Sequence, residues 1–380
     1  PINTYHFDPS AGKYTISATK SGVSYSATLT FTANLANRTM QADASINLQD
    51  SALSQAITFN GTLVATFAQL PSGDAPPQIT SATFNGQFNS QFGTTQVTNL
   101  RAEFDPDSSQ QDSLKRVTLQ SLQAQIAARP FSISLQGVDI PFMKLNGGGT
   151  APTSVTINTL QITGRDENNK QMSLTISEVN GTFIEYRDPV NGMGSGVIKT
   201  LRGKMTFASD RLSLSGEVNG TWNNPVPFKQ ISSAGHQLST FPEGTIRIKG
   251  NMTPAIGKPA AVDLTITSAP KGSPPKVTVN ATFSYGSESM QTAVEMMLTE
   301  DAEGAHPSSG SITMTHSPSG MRVSVTGVEK QPVTGSITKS DGTKVADIGE
   351  AIELGIPDLG RAGIVKYIDG TFETLQSLLP

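Results

Sequence analysis

The residue types that most often carry out chemistry are sparse in this sequence. Its four histidines, His6, His236, His306 and His316, are far apart and form no HxH or HxxxH pair. A histidine metal site could therefore form only from distant parts of the chain. Cysteine is absent, which excludes disulfides, thiolate metal ligands and cysteine nucleophiles.

One acidic segment has a spacing found in calcium-binding loops. In FDPDSSQQD (104–112), Asp105 and Asp107 stand two positions apart. An EF-hand loop also needs glycine at its sixth position and glutamate at its twelfth, and this segment has neither. We therefore predict a solvated acidic turn here rather than a calcium site.

Other segments match catalytic or phosphate-binding motifs only in part. SITK (336–339) has the Ser-x-x-Lys spacing, but that motif works at the start of a helix and this segment has the pattern of a strand. NGGGT (146–150) and NGMGSGV (191–197) are rich in glycine but lack the Lys-Ser/Thr of a phosphate loop, so we predict plain loops. No catalytic, metal-binding or cofactor-binding residue is predicted, although carboxylates from distant strands would leave no signal in the sequence.

The elements that must position any site are strands. In LSLSGEVNGTW (212–222), polar residues occupy the odd-numbered positions. The even-numbered positions are Leu, Leu, Gly, Val, Gly and Trp. A period of two indicates a strand with one wet face and one apolar face. The same alternation recurs at 57–67, 82–88, 201–207 and 246–252. The sequence therefore predicts an all-β fold.

In several of these strands, glycine occupies positions on the apolar face, where it has no side chain to bury. Asn60-Gly61 and Asn219-Gly220 lie within uninterrupted alternation, so both are predicted to be mid-strand rather than at turns. At Asn180-Gly181 the parity slips, which indicates either a bulge or a turn. We predict that Gly220 faces inward beneath a large side chain, and Trp222 is two positions away.

A longer period suggests how the strands are connected. Similar segments have apolar anchors at Phe84, Leu122, Leu160 and Leu201, which are spaced by 38, 38 and 41 residues. About two strands fit into each interval, whereas a propeller blade needs four. This spacing favours an antiparallel meander.

The predicted fold is therefore all-β, with long antiparallel strands in one or two strongly bent sheets that are meander-like or sandwich-like. We predict a β-rich region at 1–150, a second and related β-rich region at 151–330, and a small C-terminal β-hairpin module at 331–380. Within that module, hairpin turns are predicted near Asp341-Gly342 and Asp369-Gly370, with one short helical turn between them that ends before Pro357.

Composition restricts the partners and the location. The formal net charge is −4 and no basic block is present, which argues against nucleic acid. No run of 18 apolar residues occurs, so no transmembrane helix is predicted. A cysteine-free chain rich in Ser, Thr and Asn is typical of exported bacterial proteins. We therefore expect an extracytoplasmic location, in the periplasm, at the outer membrane or on the cell surface, with the export signal outside this chain.

We predict a non-enzymatic cell-envelope or surface β-protein that acts as a structural, assembly or adhesin-like component, with a protein partner or with copies of itself. The first alternative is a periplasmic or outer-membrane-associated carrier of an apolar ligand such as a lipid, held in the trough of a bent sheet. The second alternative is a glycan-binding or glycan-cleaving protein. For the carrier, the predicted ligand face consists of Phe59, Phe67, Phe84, Phe88, Met205, Phe207, Trp222 and Met252.

Overall fold

The computed structural model describes residues 4–20, 22–50, 52–69, 78–106, 113–127, 130–187, 192–224, 243–269, 276–301, 304–329 and 331–374. Strands make up 77% of the structure and helix 1%, which confirms the all-β prediction. All 24 described strands belong to one antiparallel sheet. The chain divides into two compact units, unit 1 at Pro1–Asp210 and unit 2 at Arg211–Pro380, which are described separately below.

Unit 1 contains thirteen strands. They are β1 Thr4–Asp8, β2 Lys13–Lys20, β3 Val23–Asn34, β4 Thr39–Asp50, β5 Ile57–Gln69, β6 Gln78–Ser90, β7 Gly93–Phe104, β8 Leu114–Ile126, β9 Phe131–Lys144, β10 Thr150–Pro152, β11 Ser154–Arg165, β12 Gln171–Arg187 and β13 Gly194–Ala208. Each strand pairs antiparallel with the next, except that the three-residue β10 covers only the end of β9 and β11 pairs with the rest of β9. The predicted meander is therefore confirmed in this unit.

Unit 2 contains eleven strands. They are β14 Leu212–Asn224, β15 Glu243–Pro254, β16 Ala260–Ala269, β17 Lys276–Tyr285, β18 Glu288–Asp301, β19 Gly304–Ser317, β20 Arg322–Val328, β21 Thr334–Thr338, β22 Lys344–Glu350, β23 Gly363–Tyr367 and β24 Phe372–Thr374. These strands also pair antiparallel in chain order. In both units the extensive contacts between described strands join sheet neighbours, so these strands form one sheet rather than two.

The C-terminal strands continue the sheet and do not form a separate hairpin module. Both predicted turns are present: the Gly342 amide donates to the Lys339 carbonyl and the Gly370 amide to the Tyr367 carbonyl, each at 3.0 Å. However, β21 pairs with β20 as well as with β22, because the apolar alternation continues into these strands. The module was predicted from a change in sequence character, which reflects shorter strands rather than a new fold.

The predicted short helical turn occurs, but three residues later than expected. A 3₁₀ turn covers Pro357–Leu359 and begins at the proline instead of ending before it. Proline is favourable at the first helical position because its fixed φ suits the helix and its missing N–H has no partner there anyway.

The aromatic side chains cover glycines of the apolar face, as predicted for Gly220. This glycine lies within β14 and is buried, and a Cβ added to it would stand 2.6 Å from Cη2 of Trp222. Phe59 lies in the same way over Gly61, whose added Cβ would be 2.7 Å from the Phe59 Cζ. Both Asn-Gly pairs are mid-strand, which confirms the parity argument.

Asn180-Gly181 lies within β12 beside a β-bulge, so the first of the two alternatives is correct. The bulge belongs to a row that crosses five neighbouring strands of unit 1. The row contains one residue from each strand, and these residues follow one another across the sheet: Asn99, Gln120, Gly137, Asn158 and Glu178. The backbone φ is positive at every second member, with values of 52°, 64° and 53° at Asn99, Gly137 and Glu178.

This bulge row explains why the apolar residues change from odd to even positions, or the reverse, in the middle of each of these strands. In β8, for example, Leu119 and Leu122 both belong to the apolar face although three positions separate them. At the row itself, the pairing register stays continuous between strands that share the extra residue. The register shifts where the row ends, between β6 and β7 and between β12 and β13. One aligned row of bulges thus keeps one face apolar.

The most buried cluster lies at the C-terminal end of unit 2. Ala346, Ile348 and Val365 are buried on one face of β22 and β23, while Ile364 points to the other face and is fully buried. Lys366 donates to the Leu354 carbonyl at 2.6 Å, which ties the segment between these strands to the sheet.

We expect Gly220→Val to destabilise the protein by about 1–3 kcal/mol, because the added methyl groups must displace the Trp222 indole. Trp222 is the sole tryptophan, so its fluorescence reports directly on that displacement. Urea unfolding measures the stability, and the emission maximum should move to the red in the folded variant. Gly203→Ala is the control, because its added Cβ meets its nearest neighbour at 3.5 Å. An unchanged emission maximum in Gly220→Val would contradict the packing described here.

We expect Gly137→Ala to cost about 1–3 kcal/mol of unfolding free energy through backbone strain and a clash. Its φ is positive, and the new Cβ would stand 2.9 Å from the Cβ of Asn158. Gly164→Ala is the matched control on the adjacent strand, because its φ is ordinary and its nearest contact is 3.4 Å. Equal urea midpoints for the two variants would show that the bulge row does not require the positive φ.

Candidate functional site

The eight residues predicted to face an apolar ligand belong to both units. Phe59 and Phe67 lie in β5, Phe84 and Phe88 in β6, Met205 and Phe207 in β13, Trp222 in β14 and Met252 in β15. The first six are in unit 1 and the last two are in unit 2. The predicted ligand face therefore draws on residues of both units.

In unit 1, the strand register places the predicted residues on one face. Residues directly opposite each other in neighbouring strands point to the same side of a sheet. One continuous row across nine strands contains Ile46, Phe59, Phe88, Thr95, Ala124, Ile133, Ile162, Leu174 and Phe207. The adjacent row contains Ala44, Gly61, Gly86, Val97, Leu122, Leu135, Leu160, Ile176 and Met205. We call these two rows, with Phe84 and Phe67 beside them, the apolar face of unit 1.

This face carries almost no hydrogen-bonding side chains. Thr95 is the one polar residue in the two rows. Its larger members remain partly accessible: Phe88 is 41% exposed and Met205 is 44% exposed, although Phe67 is buried. Phe59 and Phe84 stack with ring centroids 6.4 Å apart. Most members of the two rows are partly exposed, and none of them is buried.

A cavity of about 430 Å³ opens on the apolar face near the turns that join β8 to β9 and β11 to β12. Its apolar lining consists of Ile126, Pro130, Phe131, Ile162, Gly164, Met172, Leu174 and Phe207. Gly164 lies opposite Met172 in β12, and an added Cβ there would meet the edge of Phe131 at 3.4 Å and the Pro130 carbonyl oxygen at 3.8 Å. Unlike Gly61 and Gly220, this glycine is not covered by an aromatic ring, and the space above it is part of the cavity.

The opposite face of unit 1 is polar and stabilises the sheet. The Ser132 and Thr163 hydroxyls are 2.6 Å apart across β9 and β11. Arg116 donates twice to Asp139, at 2.7 Å each, and this guanidinium lowers the pKa of the Asp139 carboxyl. The sheet thus separates a hydroxyl-rich surface from an apolar one.

Unit 2 has its own apolar face. One row crosses ten strands and contains Gly220, Ile246, Ile266, Val279, Val294, Ile312, Val325, Gly335, Ile348 and Val365. Trp222 stands opposite Gly244, and Met252 stands opposite Leu214 and is 37% exposed. This row ends in the buried C-terminal cluster, so part of the face serves as the core of the unit.

A polar concavity of about 350 Å³ lies over β15 to β19 in unit 2. Asn280, Thr282 and Gln291 line it. At its edge Arg247 donates to both oxygens of Asp263, at 3.0 and 2.7 Å, and thereby lowers the pKa of that carboxyl. Side chains of this kind can hydrogen-bond a ligand rich in hydroxyl groups.

The candidate chemical residues are not brought together. His6 lies in β1, and His316 accepts or donates one hydrogen bond with the Ser319 hydroxyl at 2.8 Å. His236 and the side chain of His306 lie outside the described residues. Among the residues that the structure describes, no three His, Asp or Glu side chains are placed to hold a metal ion.

The remaining motifs serve as structural elements. Asp105 pairs with Lys144 at 3.1 Å, while Asp107 lies outside the described residues. Ser336 lies in β21, which ends before Lys339, so the Ser-x-x-Lys segment lacks its helix. Residues 146–149 form the predicted loop, but 194–197 begin β13 instead of continuing a loop, because the alternation of that strand starts there.

The prediction missed the aliphatic residues of β7 to β12, which form the middle of the apolar face. Leu135, Ile133 and Leu174 are among them. They were missed because the bulge row interrupts the alternation of each strand, which hides the shared face. The recurring pair of apolar residues three positions apart, as in Leu119 and Leu122, is the signal that could have revealed them.

Among the described residues, no helix has the length and apolar character needed to cross a bilayer. Comparisons of the chain with protein-family models, curated proteins and solved structures found no match. The functional conclusion must therefore come from the geometry of the two faces.

Proposed function

We propose that this chain is an extracytoplasmic, non-enzymatic carrier of lipids that binds acyl chains on the apolar face of unit 1. One observation carries the proposal: an apolar face that is continuous across nine strands stays partly exposed to solvent, and no member of its two rows is buried. Exposed contiguous apolar patches of this kind usually mark an interaction site.

The composition of the face favours an acyl chain over a protein partner. Protein interfaces are enriched in aromatic residues, Met and Arg, and they form about one hydrogen bond per 100–200 Å². The two rows that define the face contain aliphatic residues, Phe, Met, Ala and Gly, with Thr95 as their one hydrogen-bonding side chain. A ligand that has no hydrogen-bonding groups along most of its length matches such a surface.

The cavity gives the ligand a defined place on the face. Its volume of about 430 Å³ lies within the range of about 300–1,000 Å³ of small-molecule sites. Each methylene that leaves water contributes about 0.8 kcal/mol. Several methylenes over Gly164 and Phe131 would therefore supply enough binding free energy to keep a ligand bound.

The structural or adhesin-like role is the second candidate, and the first strand favours it. Tyr5 and Phe7 of β1 are exposed, and Phe7 stacks on Tyr14 with ring centroids 4.3 Å apart. In the described structure β1 pairs on one side only, with β2. Edge strands with exposed aromatic residues can pair with another chain.

Glycan binding is the third candidate, supported by the polar concavity over β15 to β19. Among the described residues, the side-chain amides of Asn280 and Gln291 make no hydrogen bond, so they are available to a ligand. The concavity contains no aromatic ring on which a sugar could stack, which makes it weaker support than the apolar face.

Organic extraction followed by mass spectrometry of the natively purified chain tests the carrier proposal. We expect about one acyl lipid per chain. Gly164→Leu should lower this content several-fold, because its side chain fills the cavity while its backbone φ is ordinary. Gln161→Leu adds a similar side chain on the opposite face of the same strand and should leave the lipid content unchanged.

Circular dichroism of both variants verifies that they are folded. If the wild-type chain contains no lipid and binds none when incubated with acyl-chain vesicles, the carrier proposal is wrong. Equal lipid content in Gly164→Leu and Gln161→Leu would also contradict it, because the cavity could not then be the site.

A further inference from the structure

The polar face of unit 1 includes a patch that contains no charged residue. The register places three alternating residues from each of five neighbouring strands side by side on this face. They are every second residue, from first to last, of 94–98 in β7, 121–125 in β8, 132–136 in β9, 159–163 in β11 and 173–177 in β12. All fifteen are Ser, Thr or Gln. We call them the uncharged patch.

This lack of charge is not a general property of the polar faces. Charged residues make up about a quarter of an average protein, so about four would be expected among fifteen. Beyond the bulge row, the same face of unit 1 carries the ion pair of Arg116 and Asp139. The polar face of unit 2 places Glu217, Lys249 and Asp263 in one row. Contact with water alone therefore does not account for the composition of the uncharged patch.

The glutamine amides of the patch are available to a ligand. The side chains of Gln96, Gln123, Gln125 and Gln161 are exposed, and among the described residues they make no hydrogen bond. Gln96 lies directly opposite Gln123, so these two side chains leave neighbouring strands about 4.5–5.5 Å apart. Each primary amide both donates and accepts hydrogen bonds. Closely spaced hydroxyl groups, which also donate and accept, are the complement of such a surface.

The middle row of the patch is much longer than a site for a small molecule requires. From Gln96 and Gln123 it continues with uncharged polar residues to Thr15 in β2 and to Thr206 in β13. Eleven strands spaced by about 4.8 Å extend over roughly 50 Å. A row of this length matches a linear polymer that lies across the strands.

The chemistry of the patch selects among linear polymers. Nucleic acids and anionic membrane surfaces are bound by clusters of Lys and Arg, which the patch lacks. Protein interfaces are enriched in aromatic residues, Met and Arg and depleted in Ser, whereas the patch consists of Ser, Thr and Gln. A neutral polysaccharide has no charge and carries hydroxyl groups along its whole length, so it fits the patch best.

We infer that the uncharged patch binds a neutral, linear polysaccharide through hydrogen bonds along its middle row. The patch contains no aromatic ring on which a sugar could stack. Each sugar unit is therefore held weakly, and the affinity comes from many units bound by one surface. This inference goes beyond the proposed function, because the patch lies on the opposite side of the sheet from the apolar face.

Affinity electrophoresis of the full chain in native gels that contain dextran tests this inference. Dextran is a neutral α-glucan, and its concentration dependence of retardation gives a dissociation constant. We expect Gln161→Leu to weaken this binding about fivefold, because it removes the hydrogen bonds of one amide. Gln123→Leu combined with Gln161→Leu should weaken it more than tenfold. Neither change alters the net charge, so mobility without dextran should stay the same.

Two control variants locate the binding site. Gln291→Leu removes an exposed amide from the polar concavity of unit 2, and it should retain full affinity for dextran. Gly164→Leu alters the apolar face, so it should also retain dextran binding although it loses lipid. Gln161→Leu should show the reverse behaviour, which separates a failure of this inference from a failure of the carrier proposal.

Four outcomes would overturn the inference. The first is a wild-type chain that dextran does not retard, and the second is equal retardation of wild type and of the double variant. The third is stronger retardation by carboxymethyl-dextran, because charged groups outside the patch would then bind the polymer. The fourth is self-association in sedimentation velocity that Gln123→Glu abolishes, since a second copy of the chain would then cover the patch.

Discussion

The structure depends on one constraint: each strand must keep its apolar side chains on the same side as those of its neighbours. In unit 1 the members of the two apolar rows are only partly buried, so the sheet depends on its cross-strand pairs for stability. Such pairs contribute about 0.2–1 kcal/mol each. In unit 1 the two rows through Phe59 and Gly61 remain in register across nine strands. Because a slip of one residue would turn a strand's apolar side chains to water, the rows also specify the register.

The bulge row and the covered glycines satisfy this constraint in different ways. The bulges at Asn99, Gly137 and Glu178 let each strand change its sequence parity without changing its apolar face. Gly61 and Gly220 leave space that Phe59 and Trp222 fill from two positions away. Gly164 leaves similar space unfilled, and the cavity lies there. The same residue type thus serves packing at two positions and an opening at a third.

The sequence was sufficient to predict the parts of the fold that depend on local pattern. Alternation around Gly220 indicated a strand, and the spacing of Leu122 and Leu160 indicated a meander. The shared face of unit 1 was not predictable, because it depends on which residues lie opposite each other across the bulge row.

Methyl-resolved NMR with a spin-labelled fatty acid tests the central claim most directly, namely that the partly exposed apolar face of unit 1 is the surface that meets a lipid. The account predicts strong broadening of the Ile133, Ile162 and Leu174 methyl signals by doxyl-stearate, with no broadening of the buried Ile348 and Val365 signals. Weak broadening that is equal across both sets of methyl groups would contradict it, because the probe would then have no preferred place on the molecule.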